Sequence, residues 1–194
     1  MNHRARNAEL GSSALDDQEA LAALGQGKIG ALGLLYDRYS AAVYEFVRRA
    51  TTAESDVDDI VQATFLSAAK TVANHDGKQS CRTWLVGIAA RILYRRRRGL
   101  SRWTRVLREL TIRNAGEHAD PHRELSARDE VQRLSDALAR LGEPKRIVLL
   151  LSEAEGHSCE QIARALDVPI GTVWTRLHHA RRDLRRLLEH PGER

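Results

Sequence analysis

Aromatic side chains are scarce in this chain: Phe, Trp and Tyr make up 5% of its 194 residues. Hydrophobic residues still reach 42%, so the core must be aliphatic. Four prolines and 13 glycines are too few to punctuate the many short turns of an all-β fold. The two cysteines, Cys81 and Cys159, are far apart, and no C-x-x-C or Cys/His cluster has zinc spacing. This excludes a structural zinc site and fits a reducing compartment. No apolar run approaches the ~20 residues of a membrane-spanning helix, so no membrane insertion is expected. Residues 1–17 lack the apolar stretch of a signal peptide, and the expected location is the cytoplasm. No nucleophile–base pair, phosphate loop or metal set is visible. Catalytic residues, metal ligands and cofactors are therefore all expected to be none. The net charge of +5 permits nucleic-acid binding without requiring it.

What is present is helical periodicity, and it is most informative over residues 153–186. Ser158-Cys159-Glu160-Gln161 has the S-x-x-Q form of a helix capping box. Ile162, Ala163 and Leu166 follow on one apolar face. Asp167-Val168-Pro169 ends that helix, because proline cannot continue it and pushes its predecessor out of the α region. A second helix restarts near Ile170, with Val173, Leu177, Ala180, Leu184 and Leu187 as its apolar stripe. Its other face carries Thr172, Thr175, Arg176, His179 and Arg182. A short helix, a tight turn and a longer basic helix form a helix-turn-helix, which seats its second helix in the DNA major groove.

The rest of the chain is also predicted to be helical. Residues 1–17 are polar and aperiodic and read as a disordered tail. Leu21, Leu24, Leu32, Leu35, Tyr36, Tyr39, Val43, Phe46 and Val47 make an apolar stripe interrupted near Gly25-Gln26-Gly27. Ser55 is the expected N-cap of the next helix, with Asp56, Asp58 and Asp59 in its first turn, where the helix dipole favours negative charge. Trp84, Leu85, Ile88, Ile92 and Leu93 mark a further helix, expected to end at Tyr94-Arg95-Arg96-Arg97-Arg98-Gly99. An arginine-rich stretch follows, and a second helical domain begins near Leu125. Gly142 and Pro144 separate two of its helices. The expected fold class is all-α, with two small helical domains joined by a basic linker.

Three segments together resemble bacterial RNA polymerase sigma factors of the sigma-70 family, in the compact group-four, extracytoplasmic-function (ECF) type. Asp58-Asp59-Ile60-Val61-Gln62-Ala63-Thr64-Phe65 resembles the acidic-hydrophobic helix that grips the polymerase β′ clamp. Arg82-Thr83-Trp84-Leu85-Val86-Gly87-Ile88-Ala89 resembles the segment beside the −10 reading surface. The run from Val168-Pro169-Ile170-Gly171-Thr172-Val173-Trp174-Thr175-Arg176-Leu177 to His178-His179-Ala180-Arg181 resembles the −35 reading helix. The three occur in family order and cover most of the chain. The family usually has Asn at the place of Arg91, often Asp at that of Arg95, a basic residue at that of Trp174 and Arg at that of His179. These departures bear on which promoter is read.

The resemblance implies residues 18–99 as a region 2 domain, 100–124 as the linker and 125–190 as a region 4 domain. It implies −35 contacts from Thr172, Trp174, Thr175, Arg176, His178, His179 and Arg181. It implies −10 contacts from Asn74, His75, Lys78, Arg82, Trp84, Arg91 and Arg95, and polymerase contacts from Asp58, Asp59, Ile60, Gln62 and Phe65. The implied partners are core RNA polymerase through its β′ clamp and β flap, promoter DNA, and an anti-sigma factor that masks these surfaces. The implied function is an alternative sigma factor that directs promoter-specific initiation and has no enzymatic chemistry of its own.

Several residues admit two readings. The Trp174 indole either stacks on sugar or thymine methyl groups or packs against the preceding helix. Trp84 is either a stacking platform for single-stranded DNA or a core anchor in register with Leu85 and Ile88. In the latter case the preceding loop, 74–80, is the better candidate for holding an unstacked base. The Asp56, Asp58 and Asp59 cluster serves the helix dipole as well as any partner. Nine arginines and one glutamate between residues 91 and 113 are either a solvated run or a phosphate-binding strand whose grip falls with salt. His178 and His179 could make DNA affinity pH-dependent. Two rival classes remain: a regulator that binds duplex DNA without polymerase, and an enzyme or small-molecule sensor.

Overall fold

A computed structural model describes residues 16–75, 77, 79–108 and 127–190 of the chain, without the side chains of residues 74, 97–108 and 127–129. The expectation of a disordered tail falls mainly on residues outside this set, as does most of the expected linker. Among the described residues there are eight α-helices, two short 3-10 turns and no strand. No helix among them is long and apolar enough to cross a membrane. They form two compact units, 16–48 with 53–89 and 49–52 with everything from Ala90 onward.

In the first unit, α1 (Asp17–Gly25) starts at a capping box. Asp16 Oδ1 accepts from the Glu19 amide at 2.8 Å, and Glu19 Oε2 accepts from the Asp16 amide at 3.0 Å. These bonds satisfy two otherwise orphaned donors. The Asp17 carboxylate then ties α1 to α2 (Ile29–Ala50), accepting from Arg38 Nη1 at 2.5 Å and from the Tyr39 hydroxyl. Burial, and then the bond to Asp17, push the Tyr39 phenol up to about 12. The buried residues of this unit include Ala31, Leu35, Val43, Phe46 and Val47 of α2, Val57, Ile60, Val61, Phe65 and Ala68 of α3 (Val57–Thr71), and Cys81, Trp84, Leu85 and Val86 of α4 (Cys81–Arg108). Each buried Val, Leu, Ile or Phe among them contributes roughly 1.5–3 kcal/mol.

Two helix ends differ from expectation. Ser55 is not an N-cap: residues Glu54–Asp56 form a 3-10 turn, and α3 begins at Val57 with no side-chain cap. The carboxylates of Asp58 and Asp59 in the first turn compensate its dipole instead. The fourth helix does not stop at Gly99 but continues to Arg108. One glycine costs a helix only about 1 kcal/mol, and no proline follows within the run.

In the second unit, α5 (Ala127–Arg140), α6 (Glu143–Glu153) and α7 (Cys159–Leu166) pack on α8 (Ile170–Glu189). Pro144 sits in the first turn of α6, where its missing N–H costs nothing. Ile147, Val148, Leu151, Ile162, Leu166 and Val173 are almost wholly buried. Arg146 is buried among them, and its Nη1 donates to the carbonyls of Leu138 and Ala139 at 3.3 Å. It thereby donates to carbonyls in the last turn of α5, where intrahelical donors run out; the Leu138 carbonyl also accepts from the Leu141 amide at 3.1 Å.

Candidate nucleic-acid interface

The turn between α7 and α8 is built from local chemistry. Ser158 caps α7, accepting from the Gln161 amide at 3.3 Å, while Gln161 Oε1 accepts from the Ser158 amide at 2.7 Å. Asp167 ends the helix in the left-handed region at φ 57°, a conformation that aspartate tolerates better than most side chains. Pro169 then serves as the N-cap of α8. Val173, Leu177 and Ala180 bury one side of α8, which fixes the opposite side toward solvent.

That side carries most of the residues expected to meet the −35 element. Trp174, Thr175, His178 and Arg181 are exposed, and Thr172, Arg176 and His179 are half-buried. Trp174 is 57% exposed, so it does not pack into the preceding helix. The Thr175 hydroxyl donates back to the Gly171 carbonyl at 2.8 Å. The Arg176 Nη2 donates to the Tyr94 hydroxyl at 3.0 Å, with the guanidinium 5.1 Å from that ring's centre, inside the second unit. Arg176 must leave Tyr94 to reach a base. His178 and His179 lie with ring centres 5.7 Å apart. From Arg176 to Arg186 the helix has five arginines and one aspartate, about +4 with neutral histidine.

Residues expected at the −10 element fall into three groups. Lys78 lies outside the described residues, as does the Asn74 side chain. His75 and Arg82 belong to the first unit, and Arg91 and Arg95, exposed on α4, to the second. The Arg91 guanidinium is already engaged, donating to the carbonyls of Ala165 at 2.6 Å and Arg164 at 3.3 Å. Trp84 is the correction: it is 8% exposed and meets His75 edge-on at 5.0 Å. A ring this buried offers no open stacking platform, so Trp84 is a core anchor. Beside it lies a cleft of about 750 Å³, lined among others by Asp17, Gln18, His75, Gln79, Ser80 and Cys81. His75 Nε2 is buried there without a hydrogen-bond partner. Burial pushes the Cys81 thiol up to about 12.

The polymerase-facing expectations divide similarly. Asp58, Asp59 and Gln62 are exposed on α3. Ile60 and Phe65 are only 2% and 3% exposed, which corrects their placement as contact residues: they hold α3 to the core and cannot touch a partner while it is folded. The sequence reading missed two exposed apolar neighbours. Leu66 lies one turn beyond Gln62, and Tyr36 of α2 reaches α3 edge-on at Phe65, 4.9 Å between ring centres. A leucine one step off the buried stripe was the available signal. Among the described residues, no group of three or more His, Cys, Asp or Glu could hold a metal ion.

Two family descriptions match successive parts of the chain. The family description "Sigma-70 region 2" matches residues 35–103, and "Sigma-70, region 4" matches residues 131–184. The chain is 35% identical over 171 residues to the RNA polymerase sigma factor NccH of Alcaligenes xylosoxydans xylosoxydans, covering 84% of this chain and 90% of that protein. It is 32% identical over 159 residues to the ECF RNA polymerase sigma factor SigL of Mycobacterium tuberculosis, covering 81% and 89%. In structure it is similar to CnrH, the sigma factor of Cupriavidus metallidurans, solved in complex with the cytosolic domain of CnrY. The TM-score is 0.56 at 28% identity, covering 89% of this chain and 97% of that one.

Proposed function

Because this chain belongs to the ECF RNA polymerase sigma factors of the sigma-70 family, we propose a division of its transcription-initiation role among named surfaces. Residues 125–190 read the −35 element through Thr172, Trp174, Thr175, Arg176, His178, His179 and Arg181. Residues 18–99 bind core polymerase through Asp58, Asp59 and Gln62, flanked by Tyr36 and Leu66. They take the −10 element on the 74–80 loop, His75 and Arg82, with Arg91 and Arg95 on the same helix as Arg82. Residues 100–124 form the tether. The chain works in the cytoplasm and does no chemistry itself; the polymerase supplies catalysis.

The observation that carries this reading is α8: one side closed by Val173, Leu177 and Ala180, the other open and cationic, behind a capped turn. Phosphates hold such a helix in place and base edges give it specificity. On α3, exposed carboxylates beside apolar side chains suit docking on a basic partner, where rim charge steers association more than it adds affinity. A protein partner that masks these faces until a signal arrives is the regulatory part of the proposal. The CnrH complex with the cytosolic domain of CnrY supports it.

In vitro transcription with core polymerase and genomic DNA tests the whole reading. Discrete start sites preceded by a shared pair of elements are expected. A chain that binds promoter duplex tightly alone and gains nothing from polymerase would instead be a stand-alone regulator.

A further inference from the structure

Trp174 leaves an apolar ring in water at the start of a helix whose other side is fully packed. It is 57% exposed, while its neighbour Val173 is wholly buried. Along α8 the positions Gly171, Trp174, His178 and Arg181 fall at steps of three and four, and so share one face. All four are exposed. A Cβ built on Gly171 meets nothing within 4 Å, so none of the described residues crowds this end of the face. The hydroxyl of Thr175 is turned back onto the helix and is not free to donate outward. The first two turns of α8 therefore present an exposed indole, with Thr172 and Arg176 half-buried beside it, and cations follow at Arg181, Arg182, Arg185 and Arg186.

An exposed indole is stabilised when an apolar group covers it. A surface flanked by arginines selects a polyanion as the thing that brings that group. In the major groove the base edges offer donors, acceptors and one apolar group, the C5-methyl of thymine; the minor groove has acceptors and a guanine donor but no methyl. We infer that Trp174 is a specificity-determining residue and that its ligand is the C5-methyl of a thymine in the −35 element. The inference rests on the reading of α8 as the −35 helix and deepens it.

Holoenzyme, made of core polymerase and the full chain, is first given duplex DNA with a randomised −35 segment. In the selected duplex each thymine is then replaced singly by deoxyuridine, which removes only the methyl. At one position the replacement weakens the wild-type holoenzyme about fourfold, the value of one buried methyl. The Trp174→Ala holoenzyme is insensitive to that replacement, and Trp174→Phe keeps part of the response. Because the ring is exposed, neither substitution alters the melting of the chain.

Selection of a −35 sequence with no uridine-sensitive position would overturn the inference while leaving the −35 reading intact. So would equal uridine sensitivity in wild type and Trp174→Ala. Loss of core-polymerase binding by Trp174→Ala in the absence of DNA would assign the ring to a protein surface, and also overturn it. If wild-type holoenzyme selects no −35 sequence at all, the reading of α8 fails and the inference with it.

Discussion

Glu153, at the end of α6, holds Arg181 on the exposed face of α8: its Oε1 accepts from the arginine Nη2 at 2.6 Å and from Nε at 3.1 Å. Both side chains are about half exposed, 52% and 56%, so the pair adds under about 1 kcal/mol to stability. Its effect is on charge. A carboxylate shared with Arg181 offsets the attraction of that guanidinium for phosphate.

Glu153→Gln is therefore expected to leave the melting temperature nearly unchanged and to tighten promoter binding. One additional phosphate contact steepens the dependence of log affinity on log salt by about 0.9. The check is holoenzyme affinity for one promoter duplex at four or five salt concentrations. An unchanged slope would mean that Arg181 already meets phosphate with Glu153 in place.

On α3 the exposed and buried members of one motif should separate cleanly. Asp59→Arg reverses an exposed charge and should lower core-polymerase affinity, with only the small loss in the thermal melt that a first-turn cation brings against the helix dipole. Phe65→Ala removes a ring that is 3% exposed and should destabilise the first unit by about 3–5 kcal/mol. Pull-down with core polymerase and circular-dichroism melts distinguish the two. A destabilised Asp59→Arg, or a stable Phe65→Ala that fails to bind, would reverse the assignment of these residues to surface and core.

The same α3 residues mark how far sequence could reach. Ile60, Phe65 and Trp84 stand in family motifs, and a motif gives position along the chain without saying which side faces out. Periodicity did give the side: Trp84 is in register with Leu85 and Ile88, and Ile60 and Phe65 share one apolar face with Val57, Val61 and Ala68, all of them buried but Ile88, which is half-buried. Capping chemistry was legible at Ser158 and Gln161 because both partners lie three residues apart. The equivalent box at Asp16 and Glu19 was hidden in a segment read as tail. Gly99 misled because a single glycine weakens a helix by less than the neighbouring residues support it. The Glu153–Arg181 pair, 28 residues apart, depends on how α6 packs against α8, which no local pattern encodes. Exposure removes only the packing alternative for Trp174: the sequence has it beside the apolar stripe, and only the packed helices show which side of that border it occupies.

The two cysteines should differ in reactivity. Cys81 is 2% exposed, and burial, with the Asp17 carboxylate adding to it, holds its thiol up near about 12. Thiolate is the reacting form. Iodoacetamide at pH 8 is expected to label half-buried Cys159 well before Cys81, and Cys81 only when the first unit opens. Peptide mass spectrometry over a time course reads this directly, and equal rates would contradict the buried setting of Cys81.

Asp183 gives a pH dependence whose sign can be worked out. Its carboxylate accepts from Lys145 Nζ at 2.6 Å and from Arg182, and these bonds, Lys145 first, hold its pKa below the ordinary value. A depressed carboxylate stabilises the fold fully above the unfolded pKa, about 3.9, and loses that contribution as pH falls through the lower folded value. Asp183→Asn should therefore destabilise the second unit at pH 7, by about 1 kcal/mol for a partly exposed pair. The gap from wild type should close as the pH is lowered from 5 toward 2. Thermal melts of the two chains at matched pH test it, with Lys145→Met as the partner control. A gap that stays constant down to pH 2 would show that Asp183 acts through packing and not through its charge.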